Sequence, residues 1–331
     1  MENRKKGLLV ASFGTAHAET RAKTISLMEK QIQDAFPERK FYCCYTSPTV
    51  RRLMERREGI RTDGPAEALE RMAADGMEDI LIFVTHVIPG IESERIARQA
   101  EDFRALHPQI RVRLTKPLLS EDEDYRGCAG ILLEEYGKHP ALGTAEAEKT
   151  EDGRNECRKK AADETALIFF GHGTPHAGDA CYERLEETLR RQWENINMSD
   201  RGSAEKNISA WSPVEADTFG LNPLETGLSA EAGKSMEGRE QIYVITVEGS
   251  RTVREILPSL KRDGIKKALL IPFLLTAGEH VMHDMAGDGP GSVKSILLAE
   301  GIDAVCVTKG LGEYEKIREY YIQRYFSRNP L

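Results

Sequence analysis

The chain lacks the features of a membrane, disulfide-rich or nucleic-acid-binding protein. None of its apolar runs approaches the roughly 20 residues of a membrane-spanning helix. Its six cysteines are scattered without a C-x-x-C pair, which indicates neither a disulfide framework nor a zinc ribbon. Its formal net charge of −8 argues against nucleic acid as a partner, because Lys and Arg supply most of the affinity for a phosphate backbone.

The N-terminal segment also lacks the pattern of a secretory signal. Basic residues precede the apolar stretch 7–11, but that stretch is shorter than a signal core of about 7–15 residues. We therefore expect a cytoplasmic protein with reduced cysteines and no membrane partner, whose first apolar run is a strand. The sequence leaves a homo-oligomer open.

What the chain does contain is an alternation of short apolar runs and helical periodicity, which is typical of βαβ units around a parallel sheet. Its 331 residues suggest two domains on a prior of about 150 residues each. Predicted strands cover 7–12, 41–45, 79–84 and 110–114, then 166–170, 241–247, 267–272 and 303–307. Predicted helices cover 18–36, 49–57, 65–76 and 93–106, then 178–197, 251–262, 279–286, 291–300 and 312–326.

These elements predict an α/β protein of two similar domains, each with a parallel sheet flanked by helices. The first domain is expected over 1–136 and the second, which carries the candidate metal site, over 164–331. Residues 137–163 are poor in large apolar side chains and are expected to form a linker or insertion. A second insertion, rich in Gly, Ser and Glu, is expected at the surface near 199–240.

The two halves read as a diverged repeat. The segment 76–82 matches 264–270 in its glycine, its pattern and its place in the half. Continuing that register aligns Glu92 with His280, and the strand ends at 12–15 and 171–174 align Phe13 with His172. Duplication followed by divergence explains this match, and the second half alone carries the two imidazoles.

Three polar side chains of the second half follow predicted strands. They are His172, Glu248 and His280. Ligands of parallel α/β sheets bind beyond the carboxyl ends of the strands, and two imidazoles with a carboxylate leave coordination positions open on a metal. Asp284, one helical turn after His280, is placed to orient that imidazole. Each residue on its own also fits a structural role, as a hydrogen-bonded histidine, a helix start or a solvated cap.

The remaining histidines give weaker signals. Three of them lie in polar segments and are expected to face solvent: His17, His107 and His139. His86 ends an apolar strand and is expected to be a satisfied structural residue, and His176 is expected to have a loop role. The basic stretch 51–57 is interpreted as a solvated helix face, or alternatively as a surface that recognises a polyanionic small molecule.

At four places the chain resembles the class II tetrapyrrole chelatases, and among them the sirohydrochlorin cobaltochelatases of anaerobic cobalamin synthesis. The matching stretches are 8–15, 170–173, 247–248 and 275–285. They occur in the family's order and cover both halves, but not the two expected insertions. The resemblance implies two α/β domains with an active-site cleft between them.

The resemblance also implies a function, the insertion of a divalent metal into sirohydrochlorin. Cobalt is the expected metal, with iron or nickel as alternatives, and no organic cofactor is expected. The implied metal ligands are His172, Glu248 and His280. Glu92 would face the tetrapyrrole across the cleft as an acid/base or positioning group, and the histidines would also accept pyrrole protons.

Substrate contacts and rival functions complete the expectations. Sirohydrochlorin carries many carboxylates, so Ser12, Thr15 and Arg52, with Arg51, are candidate groups for binding it. A tetrapyrrole or metal carrier that binds without turnover is the rival outside the enzyme class. A metallohydrolase would use the same ligands to activate water, but the chain lacks an H-E-x-x-H signature.

Overall fold

The computed structural model describes residues 4–137, 164–202 and 241–329. Almost all of the expected linker 137–163 and of the expected insertion 199–240 lies outside these residues. The described part folds into two four-stranded sheets in which every strand pairing is parallel. The predicted pair of α/β units is thereby confirmed. Within the described residues no helix has the length and apolar character needed to cross a membrane.

The sheet of the first half has the strand order β2-β1-β3-β4. Its strands are β1 (Lys6–Ser12), β2 (Lys40–Tyr45), β3 (Asp79–Val84) and β4 (Arg111–Leu114). Its helices are α1 (Ala18–Lys23), α2 (Ile25–Ala35), α3 (Pro48–Glu58), α4 (Pro65–Ala74), α5 (Ile91–Leu106) and α6 (Asp122–Tyr136).

The sheet of the second half has the equivalent order β6-β5-β7-β8. Its strands are β5 (Thr165–Gly171), β6 (Ile242–Thr246), β7 (Lys267–Pro272) and β8 (Asp303–Cys306). Its α-helices are α7 (Ala180–Gly202), α8 (Val253–Arg262), α9 (Val293–Ala299) and α10 (Glu315–Arg328). Single turns of 3₁₀-helix lie at Ala177–Asp179 and Leu311–Glu313, and a π-helix covers His280–Met285.

The central strands are buried on both faces, which explains why they read as continuous apolar runs rather than as alternating patterns. β1 is buried from Gly7 to Ser12 and β5 along its whole length. Such runs need helices on both sides of the sheet, and the flanking helices supply them. The strand positions could therefore be predicted closely from the sequence.

Two helical regions differ from the expectation. The helix expected over 18–36 is broken at Thr24, whose backbone leaves the helical region and whose hydroxyl donates to the carbonyl of Thr20. α6 was not expected, because Gly127 and Gly130 interrupt its helical pattern. Gly127 has a packing reason, since a Cβ there would lie 2.4 Å from the Tyr320 ring. The glycine lets α10 approach α6 closely.

The repeat is visible in individual hydrogen bonds after the first strand of each half. The Thr46 N–H donates to the Ser12 carbonyl, as the Val247 N–H donates to that of Gly171. One residue further on, the Ser47 N–H donates to the carbonyl of Phe13 and the Glu248 N–H to that of His172. Phe13 is therefore the counterpart of His172, and Glu248 corresponds to Ser47.

Each half packs its last helix against the other half. α6 packs on α7 of the second half, and α10 packs on α2 of the first. On α10 the Phe326 ring stacks on Phe36 with 5.2 Å between centroids, and the Tyr321 hydroxyl donates to the Thr85 carbonyl at 2.9 Å. Strands of both sheets contribute to one apolar core through this exchange, which holds the two halves together.

Candidate metal centre

His172 stands directly after β5 on a turn that only glycine permits. A Cβ on Gly171 would lie 2.3 Å from the Tyr182 ring. Gly173 has φ of +78°, and a Cβ there would lie 1.7 Å from the backbone oxygen of Glu248. The two glycines let the loop pass tightly between its neighbours. They fix the backbone of His172 at the carboxyl end of the sheet.

His280 is the first residue of the π-helix after β7. The sequence predicted a helix over 279–286, and a helix is present there, but in the wider π form. The N–H groups of Val281 and Met282 both donate to the carbonyl of Gly278 at its start. Short π segments often occur at functional sites because they re-aim side chains. Here the segment aims His280 toward His172.

The imidazoles of His172 and His280 are adjacent, with ring centroids 4.7 Å apart and ring planes at 89°. His172 Nδ1 lies 3.0 Å from the carbonyl oxygen of Gly173, and His280 Nδ1 lies 2.7 Å from the carboxylate of Asp284. Both partners are acceptors, so each Nδ1 carries the hydrogen. In the neutral form of each ring Nε2 therefore keeps its lone pair, and two such imidazoles at this spacing can bind one divalent ion.

Asp284 has the role that the sequence predicted for it. Its hydrogen bond fixes the tautomer and the ring orientation of His280, as outer partners commonly do for metal-binding histidines. His172 obtains the same restraint from the backbone of its own turn. The two rings are thus oriented by different means, one by a side chain and one by the main chain.

Glu248 is hydrogen-bonded to the His172 loop through its backbone, and its side chain is exposed. Its N–H donates to the carbonyl of His172 at 2.9 Å. Among residues 4–137, 164–202 and 241–329, no three His, Cys, Asp or Glu side chains converge as a metal site. The two histidines are brought together, whereas the role of Glu248 as a third ligand stays a prediction.

Glu92 lies in the first turn of α5, where its carboxylate receives two contacts of 2.9 and 3.1 Å from Arg95. The loop before α5 touches the His172 loop, since a Cβ on Gly178 would lie 2.1 Å from the carbonyl oxygen of Pro89. Glu92 therefore belongs to the part of the first half that adjoins the His172 loop. Its side chain retains 24% exposure, which leaves it open to a ligand between the halves.

The three residues predicted to bind the substrate differ in accessibility. Ser12 is 1% exposed and its hydroxyl accepts from Thr85. Thr15 is 6% exposed and its hydroxyl accepts from the His17 N–H. Arg52 is exposed on α3, whereas the neighbouring Arg51 is paired with Glu67 at 2.9 Å. The two hydroxyls are engaged within the protein, and Arg52 is the accessible group of the set.

Other histidines make contacts that the sequence did not reveal. His17 and His176 each reach a glutamate of the opposite half, while His139 lies outside the described residues. His86 was expected to be satisfied, but its buried Nδ1 has no hydrogen-bond partner in the described part of the chain. Burial lowers the pKa of His86 to about 4, so this imidazole is neutral at physiological pH.

Comparison with known proteins identifies a family and two relatives that match nearly the whole chain. The model of the cobalt chelatase (CbiK) family matches residues 6–203 and 230–327. Sirohydrochlorin cobaltochelatase of Salmonella typhimurium is 28% identical over 318 residues, which cover 96% of this chain and 94% of that protein. Sirohydrochlorin cobaltochelatase CbiKC of Nitratidesulfovibrio vulgaris is 27% identical over 94% of this chain and 86% of its own.

Solved structures agree on the fold. SirB from Bacillus subtilis with Fe3+ superposes with a TM-score of 0.55 at 9% identity, over 99% of this chain and 98% of its own. The sirohydrochlorin chelatase SirB from Bacillus subtilis subspecies spizizenii, in complex with cobalt, gives 0.50 at 10% identity, over 98% and 97%. At these identities the likeness extends to the two-domain α/β architecture.

Proposed function

The chain belongs to the cobalt chelatase (CbiK) family, and from this premise we propose that it inserts a divalent metal, cobalt, into sirohydrochlorin. The observation that carries the proposal is the pair of imidazoles with free Nε2 atoms, His172 and His280. In this proposal the metal is a substrate that the histidines hold until the macrocycle takes it. The two curated relatives, which match nearly the full chain, are named for this activity.

The chemistry of insertion suits neutral imidazoles. Metal insertion forms bonds from the ion to the macrocycle nitrogens and releases two pyrrole protons. Imidazole binds cobalt, nickel, iron and zinc, so two imidazoles can hold the ion, and an incompletely filled coordination sphere leaves positions for the incoming nitrogens. A freed imidazole can also accept a proton near neutral pH. We assign His172 and His280 these two functions, with Glu248 as the third ligand once its exposed side chain turns inward.

The first half supplies the opposing wall in this proposal. Glu92 is assigned as the acid/base or positioning group that faces the macrocycle. Three large apolar side chains near the ends of strands or the starts of the following helices are exposed. Exposed apolar surface of this kind can contact the face of a planar macrocycle. The three side chains are Phe13 (48%), Ile91 (42%) and Met282 (52%). Arg52 is assigned to a substrate carboxylate, and Ser12 and Thr15 are assigned to support of the loop beneath it.

The state of the cysteine thiols supports a cytoplasmic location for the reaction. Five cysteines of the described residues are free; three of them are buried and two are partly buried. Burial raises the pKa of the Cys43 thiol to about 12, which keeps it protonated and unreactive. Free, unreactive thiols fit a reducing environment, and we place the reaction in the cytoplasm.

Multiple-turnover assays with the three candidate metals test the proposed function. Purified protein is mixed with a 20-fold excess of sirohydrochlorin and of cobalt, iron(II) or nickel, and the macrocycle absorption is followed against a reaction without protein. We expect cobalt insertion to be accelerated over many turnovers and to exceed insertion of the other two metals. A spectral change that stops at one macrocycle per chain would identify a carrier instead, and a faster reaction with iron or nickel would change the assigned metal.

A further inference from the structure

Two histidine–glutamate contacts join the halves across the cleft. His17 Nε2 of the first half lies 3.1 Å from Glu279 Oε1 of the second. His176 Nε2 of the second half lies 3.0 Å from Glu94 Oε1 of the first. We call these two contacts the cross-cleft clasps. None of their four residues was assigned a part in metal binding above.

The clasps are related by the internal repeat. Thr15 and His17 occupy the places of Thr174 and His176, two and four residues beyond the paired positions Phe13 and His172. In both halves the backbone N–H of the histidine donates to the hydroxyl of the threonine two residues before it, at 3.3 Å in the first half and 3.2 Å in the second. Each Thr-x-His segment therefore folds as the same turn, and each sends its imidazole to the opposite half.

The His176 clasp connects one metal-binding histidine with the proposed acid/base wall. His176 Nδ1 accepts from the Gly178 N–H at 3.0 Å, so Nε2 carries the hydrogen and lies 3.0 Å from the Glu94 carboxylate. His176 is four residues after His172, and Glu94 is two residues after Glu92 on α5. The clasp thereby fixes the loop of His172 against the helix of Glu92.

The His17 clasp connects the other metal-binding histidine with the loop of Phe13. Glu279 directly precedes His280, and its second carboxylate oxygen lies 2.8 Å from His283 Nδ1. His17 thus holds the start of the π-helix through a carboxylate that is also held from within that helix. The two clasps together restrain both imidazoles relative to the first half.

We infer that His17 and His176 are positioning residues for metal insertion, which set the separation between the two metal-binding imidazoles and the first-half wall. The inference rests on the proposed function. Neither histidine touches the reacting atoms, and both imidazoles of the metal pair lie in the second half. Loss of the clasps should therefore impair the fit of the macrocycle between the halves while sparing the binding of the metal alone.

Alanine and glutamine variants of the two histidines test this inference. The double variant His17→Ala/His176→Ala is expected to raise KM for sirohydrochlorin about tenfold, since each lost polar contact accounts for a few-fold change. Its affinity for Co2+ alone should stay within twofold of wild type, on the order of the scatter expected for distant sites. Glutamine places an amide near the position of Nε2, so the KM of the His17→Gln/His176→Gln variant should lie close to that of wild type.

His107→Ala is the matched control. His107 Nε2 lies 3.2 Å from Glu70, so it makes the same kind of contact, but within the first half alone. Hydrogen exchange at the backbone amides of 85–94 and 172–179 supplies a readout that needs no turnover. Exchange there is expected to accelerate in the double alanine variant and to remain at the wild-type rate in His107→Ala.

The outcomes separate the inference from the proposed function. If wild type inserts cobalt but the double alanine variant matches His107→Ala in KM and in exchange, the clasps have no positioning role. Glutamine variants that behave like the alanine variants would also overturn it. If wild type fails to insert any metal, the proposed function fails, and the exchange rates still decide whether the contacts hold the halves together.

Discussion

Replacing His172 with alanine is expected to lower the turnover number for cobalt insertion into sirohydrochlorin by about 10²–10⁴-fold. The variant loses one of the two adjacent imidazoles, and with it a proton acceptor near the macrocycle. The loop itself should persist, because its path is fixed by Gly171 and Gly173 rather than by the imidazole. The measurement is the initial rate of the change in macrocycle absorption at saturating cobalt.

His107→Ala serves as the control for removing an imidazole, and circular dichroism verifies that each variant is folded. The control should retain wild-type turnover, since His107 pairs with Glu70 away from the two-histidine pair. A folded His172→Ala variant that inserts cobalt at the wild-type rate would contradict the assignment of the metal centre.

The largest expected effect on stability comes from Asp124→Ala, at about 3–5 kcal/mol in the free energy of unfolding. Asp124 is fully buried, forms an ion pair with Arg324 at 3.2 Å and accepts a hydrogen bond from Arg328 at 2.8 Å. Its other oxygen accepts the N–H groups of Ser120 and Glu121. The substitution would leave the buried guanidinium of Arg324 without its carboxylate, and would loosen α6 from α10.

Glu134→Ala is the matched control for that substitution, because Glu134 also joins α6 to α10, through Lys316. The side chains of Glu134 and Lys316 are both more than half exposed, so loss of this ion pair should cost about 0–1 kcal/mol. Urea unfolding followed by circular dichroism measures both variants. Equal destabilisation by the two substitutions would contradict the claim that burial of the Asp124 ion pairs determines how strongly they stabilise the packing of α6 on α10.

The strands and the repeat could be predicted because their signals are local. Apolar runs buried on both faces identify β1, β3, β5 and β7, and glycines at equivalent places reveal the duplication. The positions of His172 and His280 follow from the rule that parallel strands end at one edge of a sheet. Their approach to 4.7 Å, and the hydrogen bonds that free each Nε2, required the structure.

Features that depend on contacts between distant segments could not be predicted. α6 is interrupted by Gly127, and the reason for that glycine is a ring 193 residues further along the chain. Likewise His17 and Glu279 are 262 residues apart, so no spacing rule links them. A sequence signal did exist for the clasps, since Thr15 and His17 recur as Thr174 and His176. That signal indicates a function only together with the contact that each histidine makes with a glutamate of the opposite half.

Solvent exposure was a further limit on prediction. Ser12 and Thr15 are the hydroxyls expected to bind carboxylates of the substrate. The parallel strand β3 brings Thr85 against Ser12, and the turn of the Thr-x-His segment engages Thr15. The Thr85 contact cannot be inferred from the local pattern because it arises from strand pairing, and the residue types around Thr15 do not by themselves specify its turn.

Calorimetric titration of Co2+ into wild type and into the double variant His172→Ala/His280→Ala tests the central claim most directly. We predict that wild type binds one ion per chain at this centre. The double variant should bind it more than about 100-fold more weakly, since even the loss of an outer partner of a metal ligand can cost up to that factor. Unchanged stoichiometry and affinity in a folded double variant would contradict the claim that these two imidazoles hold the metal.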